Sequence, residues 1–203
     1  MMRLNLNTSG AAQIFVCEDI PFDHREILRY MRCREATDEV TSLLSACVEE
    51  CRGLFRMRAV WRTFPVSVEG SDVDLSFVRV ESRDLACNLA SCDRVVVFAA
   101  TVGLDIDRAI ARAALTSPAR ALCYDAIGAE RIEALCDALN CQITAAAGKT
   151  RPRFSPGYGD LPIELQRDIF TVLDCPRTIG LTLNGSLLMS PQKSVTAIVG
   201  ISK

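Results

Sequence analysis

The chain has 203 residues, 49% of them hydrophobic and 24% charged, and a formal net charge of only −2. This balance is typical of a folded protein with a sizeable core, and it excludes a disordered chain. The basic residues are scattered rather than gathered into a stripe, which argues against a nucleic-acid partner. No repeat or linker interrupts the sequence, so we expect a single domain over residues 1–203.

Neither a signal peptide nor a membrane span is expected. The first twenty residues lack a basic start followed by a sustained apolar segment. The longest apolar run, Val95 to Leu104, is far shorter than the ~20 residues that cross a bilayer. We therefore predict a cytoplasmic protein with no membrane partner.

Ten cysteines suggest a metal or iron–sulfur site, but their spacing does not support one. No CxxC pair occurs, so the signature of a zinc site is absent. A CxxxCxxC motif for radical chemistry would need a cysteine where the chain has Leu54. Cys47 and Cys51 instead continue the apolar stripe of a predicted helix. We expect reduced core thiols and no metal site.

The N-terminal half is predicted to contain a helical region at about 23–53 and several strands. The helical region divides into helices at about 23–33 and 37–53, which we expect to form a helical hairpin. His24, the only histidine, lies in the first turn, where a surface or capping role is favoured over catalysis. The predicted strands lie at about 13–16, 56–68, 73–78 and 94–102, with a short helix at about 81–90 between the last two.

The strand at 94–102 is continuously apolar, which predicts a central, buried position. It is followed by Gly103 and by a helix that begins near Asp105 and ends at about Leu115. A strand, a glycine and a helix in this order occur in nucleotide-binding loops, but neither GxGxxG nor a P-loop lysine is present. A tight turn with Asp105 as the helix cap explains the pattern equally well.

A long helix is predicted from Ser117-Pro118 to about Cys141. Glu133 projects within its apolar arc, whereas Glu130, Arg131 and Asp137 fall on the edge of the arc or outside it. A carboxylate that faces a core needs a partner or a functional role. Glu133 is therefore either a site residue or a side chain that reaches solvent past small neighbours.

The loop from Arg153 to Pro162 is rich in conformationally special residues. Two glycines flank Tyr158, so the backbone there can adopt positive φ and approach a ligand closely. Asp160 is expected to cap a helix that runs to about Asp174. The loop would then deliver its side chains to the positive end of that helix, where an anionic group could dock.

The C-terminal segment is predicted to form a hairpin. Asn184-Gly185 is a strong turn signal after residues 181–183. Residues 186–189 are expected to pair with 195–201 across a second turn at 190–193. Together with the elements above, this predicts an α+β fold in which helices surround a twisted, mostly antiparallel sheet.

Three short motifs follow one another in the second half of the chain. They are Glu133-Ala134-Leu135 in the long helix, Arg153-x-x-x-Gly157-Tyr158 in the loop, and Met189-x-Pro191-x-x-Ser194-Val195 near the C-terminus. In this order they resemble the activation, or reactivation, domain of cobalamin-dependent methionine synthase, and most of all its stand-alone versions. The match covers about residues 118–202, and the N-terminal half agrees in length and rhythm.

The resemblance implies a fold of that type and a role in repair. Such domains bind S-adenosylmethionine and dock over a cobalamin that another module carries. When the cobalt is oxidised to cob(II)alamin, an electron from a flavodoxin-like donor and the methyl group of S-adenosylmethionine restore methylcobalamin. The chain would thus be an accessory subunit for a cobalamin-binding methionine synthase or another corrinoid methyltransferase, with no catalytic residues and no turnover of its own.

The resemblance also implies the cofactor-binding residues, and the chemistry of each residue suits its role. Arg153 offers a planar fork to the carboxylate of S-adenosylmethionine. Pro156 stiffens the loop, and Gly157 lets its backbone approach the ligand. Tyr158 faces the cobalamin, and Glu133 is a carboxylate near both the ligand and the cobalamin.

Departures from the family pattern support an alternative. Ser190 stands where the full-length enzymes usually have a tryptophan, and no residue before Cys33 matches the acidic residue that holds the ligand's amino group. The alternative is a non-catalytic docking or capping protein for a corrinoid protein, one that no longer binds S-adenosylmethionine. A third hypothesis, an independent small-molecule methyltransferase built on residues 95–105, lacks the glycine-rich loop that it would need.

Overall fold

Strands and helices are mixed along the chain within residues 4, 6–8, 10–17 and 20–202, which the computed structural model describes. The strands are β1 (Gln13–Val16), β2 (Arg58–Pro65), β3 (Ser67–Glu69), β4 (Asp72–Asp74), β5 (Arg79–Glu81), β6 (Cys92–Thr101), β7 (Thr182–Leu183), β8 (Met189–Ser190) and β9 (Ser194–Ser202). The helices are α1 (His24–Tyr30), α2 (Asp38–Cys51), α3 (Arg83–Leu89), α4 (Asp105–Thr116), α5 (Pro118–Ala147), α6 (Leu165–Leu173) and α7 (Cys175–Thr178).

The main sheet is antiparallel and has the strand order β1-β2-β6-β9. Strand β6 lies inside it, between β2 and β9, and is buried on both faces. Because successive side chains of a strand point to opposite faces, Val96 and Phe98 enter one apolar cluster and Val95 and Val97 enter the other. The predicted central strand and the mostly antiparallel α+β fold are confirmed.

Helices cover both faces of this sheet. On the face of Trp61 and Phe98 lie α1, α2, α4 and α5. On the face of Val60 and Val97 lie α3, α6, α7 and the small sheet β3-β4-β5. Each helix contributes one apolar stripe to a core, so this layering removes both faces of the sheet from water.

The segment 73–78, which the pattern predicts as one strand, is divided by a turn. Strand β4 ends at Asp74, and β5 begins at Arg79. Between them Ser76 has a φ of 71°, and its backbone N–H donates to the carboxylate of Asp74 at 2.8 Å. Such a side-chain bond to the backbone two residues on favours a turn over a strand, which the alternation of apolar residues does not reveal.

The C-terminal strands also pair differently from the prediction. Strands β7 and β8 pair with each other around the Asn184-Gly185 turn, whereas β9 pairs with β6. The Asn184 side-chain oxygen accepts the backbone N–H groups of Ser186 and Leu188, both at 2.9 Å, which closes the turn. Pairing with β6 places Ala197 and Val199 in the core. A two-stranded local hairpin would bury less of their apolar surface, so pairing with β6 is favoured.

Helices α1 and α2 each pack on α5 and do not form the predicted helical hairpin. Ile27 of α1 and Leu44 of α2 lie in the same apolar cluster as the inner face of α5. His24 is exposed at the start of α1, as a surface residue would be. Helix α5 continues past the predicted end to Ala147, where Gly148 follows with a φ of 86°.

Helix α5 carries a buried ion pair at two positions that the apolar arc assigns to its edge or outside. Glu130 and Arg131 are only 4% and 2% exposed. The Arg131 guanidinium donates to Glu130 and to the carbonyl oxygens of Ile20, at 2.6 Å, and Pro21, at 2.7 Å. The single-arc prediction was wrong here because α1, α2, α4 and the sheet together surround α5.

The turn between β6 and α4 is tight, as predicted, but Asp105 does not cap the helix. Gly103 has a φ of 93° there, a value that favours glycine. Helix α4 begins at Asp105 with Leu104 as its N-cap residue, and among the described residues no side chain caps its first turn. The Asp105 carboxylate instead pairs with Arg108 at 3.3 Å. The backbone turn alone therefore explains the glycine at position 103, and no nucleotide-binding loop is needed to account for it.

The cysteine side chains are free thiols. Cys47 and Cys51 are fully buried, as predicted for core residues, and burial raises the pKa of each to about 12. These thiols therefore stay protonated at neutral pH. Among the residues described, no group of three or more His, Cys, Asp or Glu side chains could hold a metal ion. In the same part of the chain, no helix is long and apolar enough to span a bilayer.

Candidate functional site

A cleft of about 390 Å³ opens where α5, the loop after it, the first turn of α6 and the start of β9 meet. Small-molecule sites commonly have volumes of about 300–1,000 Å³. Four of the five predicted site residues line this cleft, and Gly157 does not. The lining residues are Glu133, Arg153, Phe154, Ser155, Pro156, Tyr158, Gln166, Met189, Ser194, Val195 and Thr196.

The loop before the cleft is fixed to the free edge of β9. Phe154 and Ile198 exchange two backbone hydrogen bonds, at 2.9 and 2.8 Å. The Arg151 backbone N–H donates to the carbonyl oxygen of Gly200 at 2.8 Å. Residues 150–154 thus run beside β9 as a short antiparallel extension of the sheet. This pairing holds Arg153 between β9 and α5.

The guanidinium of Arg153 bridges two carboxylates of α5. Its Nη2 lies 2.9 Å from Oε2 of Glu133, and its Nη1 lies 2.7 Å from Oδ1 of Asp137. Glu133 and Asp137 are four residues apart, so they occupy one face of the helix. The three side chains together carry a net charge of −1. Asp137 was predicted at the edge of the apolar arc or outside it. Its i, i+4 spacing from Glu133 was the signal that the two carboxylates could share one cationic partner.

A second cleft, of about 410 Å³, adjoins the first and shares Glu133 with it. Its acidic lining residues are Asp23, Glu26, Glu130, Glu133 and Asp137. Tyr30 also lines it, and burial together with the charge of Glu133 raises the pKa of this phenol. Glu130 is paired with Arg131 and Glu26 with Arg29, so the excess negative charge among these ion pairs comes from Glu133 and Asp137, which share Arg153. One guanidinium between two carboxylates suits a ligand with a carboxylate at one point and positive charge beside it.

The segment 155–161 forms a tight turn beside the cleft. Gly157 has a φ of 86°, and its N–H donates to the carbonyl oxygen of Leu161 at 2.9 Å. The Tyr158 N–H donates to the carbonyl oxygen of Ser155 at 3.1 Å. Gly157 therefore shapes the turn, and its amide is already occupied by the chain. Pro156 is buried, whereas the Tyr158 side chain is 73% exposed at the mouth of the cleft.

The predicted anion site at the start of α6 is not formed. Helix α6 begins at Leu165 with Glu164 as its N-cap residue, and no side chain in the described part of the chain caps it. The amides of Leu165, Gln166 and Arg167 donate to carbonyl oxygens three residues earlier, at 3.4, 3.1 and 2.9 Å. These hydrogen bonds occupy the amides that would otherwise face an anion.

Asp160 caps a different helix from the predicted one. Its carboxylate accepts the backbone amides of Arg83, at 2.8 Å, and Asp84, at 3.3 Å, and the hydroxyl of Ser82. These bonds, led by the one from Ser82, lower the pKa of Asp160. The loop is therefore anchored to the first turn of α3, which belongs to the other half of the chain.

Neither a protein-family model nor a curated protein sequence matches this chain. The chain is similar to the crystal structure of the MetH reactivation domain bound to AdoHcy, that is, S-adenosylhomocysteine, with a TM-score of 0.70 and 14% sequence identity. The alignment covers 95% of this chain and 78% of that chain. The chain has the fold of the MetH reactivation domain. At 14% identity the likeness establishes the fold only. Any ligand of this chain must be inferred from the residues of its own cleft.

Within the reactivation-domain fold, the three sequence motifs of this chain meet at one cleft. Glu133 comes from α5, Arg153 and Tyr158 from the loop, and Met189 and Ser194 from the two ends of the last motif. The binding roles that the resemblance assigns to Glu133, Arg153, Pro156, Gly157 and Tyr158 stay predictions. The geometry adds one constraint, because Arg153 has two carboxylate partners in the free protein.

Two polar residues that line the cleft, Gln166 and Thr196, belong to none of the sequence motifs. Gln166 is 5% exposed and Thr196 is 2% exposed. Gln166 Oε1 and Thr196 Oγ1 are buried, and neither has a hydrogen-bond partner among the residues that the structure describes. Gln166 lies three and four residues before Ile169 and Phe170, on the buried stripe of α6. A polar residue on that stripe was the signal that could have found it.

Proposed function

We propose that this chain is an accessory reactivation subunit that binds S-adenosylmethionine in the cleft at Arg153. It would dock on a cobalamin-carrying methyltransferase, a methionine synthase or another corrinoid enzyme, and support the reductive methylation of inactive cob(II)alamin. The observation that carries the proposal is that four of the predicted cofactor-binding residues line one cleft in a reactivation-domain fold. The chain supplies no turnover alone, because the cobalamin belongs to the partner.

The charges around the cleft fit the parts of this ligand. S-adenosylmethionine carries a carboxylate, an ammonium group and a sulfonium, and so it presents one anion among two cations. Arg153 suits the carboxylate, and Glu133 with the adjoining acidic cleft suits the cations. The acidic cleft could also hold the amino group of S-adenosylmethionine. Its lining includes Asp23 and Glu26, which precede Cys33 although neither matches the family's acidic residue by motif.

Ligand binding requires a rearrangement at Arg153. Its two terminal nitrogens are bound to Glu133 and Asp137 in the free protein. The Asp137 side chain is 71% exposed, so it can turn to water at little cost, and the ligand carboxylate then takes its place at Nη1. Glu133 is less exposed and stays beside the cations of the ligand. An exchange of this kind keeps the guanidinium paired throughout.

Apolar side chains around the mouth of the cleft support the docking of a partner. Tyr158 is 73% exposed, and Leu188, next to the cleft residue Met189, is 66% exposed. Contiguous exposed apolar patches mark surfaces that another protein covers, and we propose that Tyr158 and Leu188 belong to such a surface. The partner's cobalamin would supply the chemistry: once a flavodoxin-like donor had reduced it by one electron, it would accept the methyl group, and S-adenosylhomocysteine would leave with the electron pair of the broken S–C bond.

The test is calorimetric titration of the purified chain with S-adenosylmethionine and S-adenosylhomocysteine. We expect the wild-type protein to bind both, and Arg153→Ala to bind roughly 10–100 times more weakly, because charge-assisted hydrogen bonds to the carboxylate are lost. Arg177→Ala, which changes an exposed arginine outside the cleft, is the matched control and should bind as wild type. Absence of binding by the wild-type chain, with and without a corrinoid partner, would refute the proposal.

The second candidate is the docking or capping protein that keeps the partner and has lost the methyl donor. The observation in its favour is the double pairing of Arg153, since a fork held by two carboxylates is not free for a third. A pull-down with a cobalamin-loaded methyltransferase, followed by titration of the complex with S-adenosylmethionine, separates the two. Partner capture without any ligand binding would select the capping protein.

A further inference from the structure

Gln166 and Thr196 come from different elements and line the same cleft. Gln166 lies in the first turn of α6, and Thr196 lies in β9 opposite Ala99 of β6. Thr196 shares its face of the sheet with Ile198, which packs in the same cluster as Ile169 and Phe170 of α6. The two polar side chains are thus brought to the cleft by the packing of α6 against the sheet.

A buried polar atom without a partner is unfavourable in the free protein. Leaving such a group unpaired costs about 1–3 kcal/mol, and most buried side-chain polar atoms therefore have partners. Gln166 Oε1 and Thr196 Oγ1 lack one among the described residues, although both sit beside an open cleft. A ligand that entered this cleft and hydrogen-bonded these two oxygen atoms would remove the cost of leaving them unpaired.

The two side chains also differ in kind from the rest of the polar lining. Arg153 and Glu133 are charged and pair with each other. Gln166 and Thr196 are neutral: the amide offers an acceptor beside two donors, and the hydroxyl both donates and accepts. A glutamine amide pairs in a bidentate manner with adenine, whose exocyclic amino group lies next to a ring nitrogen acceptor. The charged side chains therefore suit the amino-acid part of a ligand, and the neutral side chains suit a base.

We propose that Gln166 and Thr196 hydrogen-bond the adenine of an adenosyl ligand and make the cleft selective for a purine that carries the exocyclic amino group. This inference rests on the proposed function, because it assumes that an adenosyl ligand enters the cleft. It adds the residues that would recognise the base, whereas Arg153 and Glu133 would recognise only the charged groups of the ligand. Selectivity by buried hydrogen bonds is strong because an analogue that lacks the group leaves the protein amide unpaired.

The test combines side-chain and ligand changes in one cycle. The probes are S-adenosylhomocysteine and its analogue whose purine lacks the exocyclic amino group. The wild-type protein should prefer the adenosyl ligand about tenfold, as expected for the loss of a buried hydrogen bond. Gln166→Leu should bind both probes with equal, weaker affinity. Thr196→Val should bind the adenosyl ligand about threefold to tenfold more weakly than wild type does.

Thr63→Val is the matched control for the threonine. Thr63 Oγ1 is also buried and without a partner in the described chain, but Thr63 lies in β2 and does not line the cleft. Both threonine variants should have melting temperatures equal to or above that of the wild type, since each removes an unpaired hydroxyl. Only Thr196→Val should weaken ligand binding.

The outcomes separate the inference from the proposed function. If Arg153→Ala loses binding while Gln166→Leu keeps both wild-type affinity and wild-type selectivity, the adenine assignment is wrong and the proposed function stands. Equal binding of the two probes by the wild-type protein also overturns the assignment. If the wild-type protein binds neither probe, the proposed function fails and the assignment fails with it. Retention of the preference by Gln166→Leu with weakened binding would show that Gln166 acts on folding of the cleft and not on the base.

Discussion

The carboxylate of Asp160 accepts the backbone N–H of Arg83 at 2.8 Å, although the two residues lie in different halves of the chain. The same carboxylate receives the hydroxyl of Ser82, which itself caps α3 by accepting the N–H of Leu85 at 3.1 Å. The loop that carries Tyr158 is therefore held at one end by β9 and at the other by α3. Two fixed ends explain how a segment without regular secondary structure can keep its side chains in place.

The first prediction concerns the stability supplied by Asp160. Its pKa is lowered in the folded protein from 3.8, so its contribution is present above the unfolded value and is lost as the pH falls through the folded value. Asp160→Asn should lower the free energy of unfolding at neutral pH, and the gap to wild type should narrow as the pH falls below the unfolded value and through the lower folded value. Urea denaturation at a series of pH values measures the gap. A gap that does not change with pH would contradict the role of the charge.

The second prediction concerns the close approach of the loop to α3. Gly159 has a φ of 54°, and a Cβ at this position would overlap Oδ2 of Asp84. Gly159→Ala should therefore turn the exposed Asp84 carboxylate away and strain the positive-φ backbone, which lowers the melting temperature. Gly185→Ala is the control, because a Cβ there meets nothing within 4 Å and the backbone does not need positive φ. Equal melting temperatures of the two variants would show that neither the positive φ of Gly159 nor its contact with Asp84 matters for stability.

The third prediction concerns the buried ion pair of α5. Arg131→Met leaves the Glu130 carboxylate buried without its guanidinium and frees the carbonyl oxygens of Ile20 and Pro21. We expect a loss of about 3–5 kcal/mol in the free energy of unfolding, measured by urea denaturation. The double variant Glu130→Leu with Arg131→Met should recover a large part of it, since no unpaired charge remains. A double variant as unstable as the single one would mean that the carbonyl contacts of Arg131 dominate.

The sequence predicted the parts of the fold that depend on local pattern. The apolar run at 94–102 identified the central strand, and the Asn184-Gly185 signal identified a real turn. The partner of β9 could not be found in this way, because its pairing with β6 joins segments about a hundred residues apart and leaves no local trace. The turn residues at 190–193 then favoured the wrong hairpin, between 186–189 and 195–201.

The candidate site was predicted unevenly for a related reason. Arg153 and Tyr158 were found through a motif, and the structure brings them to one cleft with Glu133. The role of Asp160 was wrong because its cap bonds reach α3, whereas a sequence suggests only the helix that follows. Gln166 was missed because one polar residue on an apolar stripe is informative only when the opposing surface is known.

The fourth prediction separates the charge of Glu133 from its size. The sulfonium makes S-adenosylmethionine more positive than S-adenosylhomocysteine, so Glu133→Gln should weaken binding of the former about threefold more than that of the latter. Titration with both ligands at low and high salt measures the ratio, which should shrink as salt screens the charge. Asp137→Asn is the control. It should bind both ligands at least as tightly as wild type, because the ligand carboxylate no longer competes with Asp137 for Arg153.

The fifth prediction concerns Tyr158, whose exposed ring lies at the mouth of the cleft. Because most of this ring faces away from the protein, Tyr158→Ala should change the affinity for S-adenosylhomocysteine by no more than about twofold. Reactivation of a cobalamin-loaded methyltransferase, assayed with a flavodoxin-like donor, should fall roughly tenfold or more, since an exposed aromatic side chain at a docking surface contributes strongly to binding. Tyr158→Phe keeps the ring and should retain most of the reactivation. Loss of ligand affinity in Tyr158→Ala with unchanged partner binding would instead place the ring on the ligand and remove it from the docking surface.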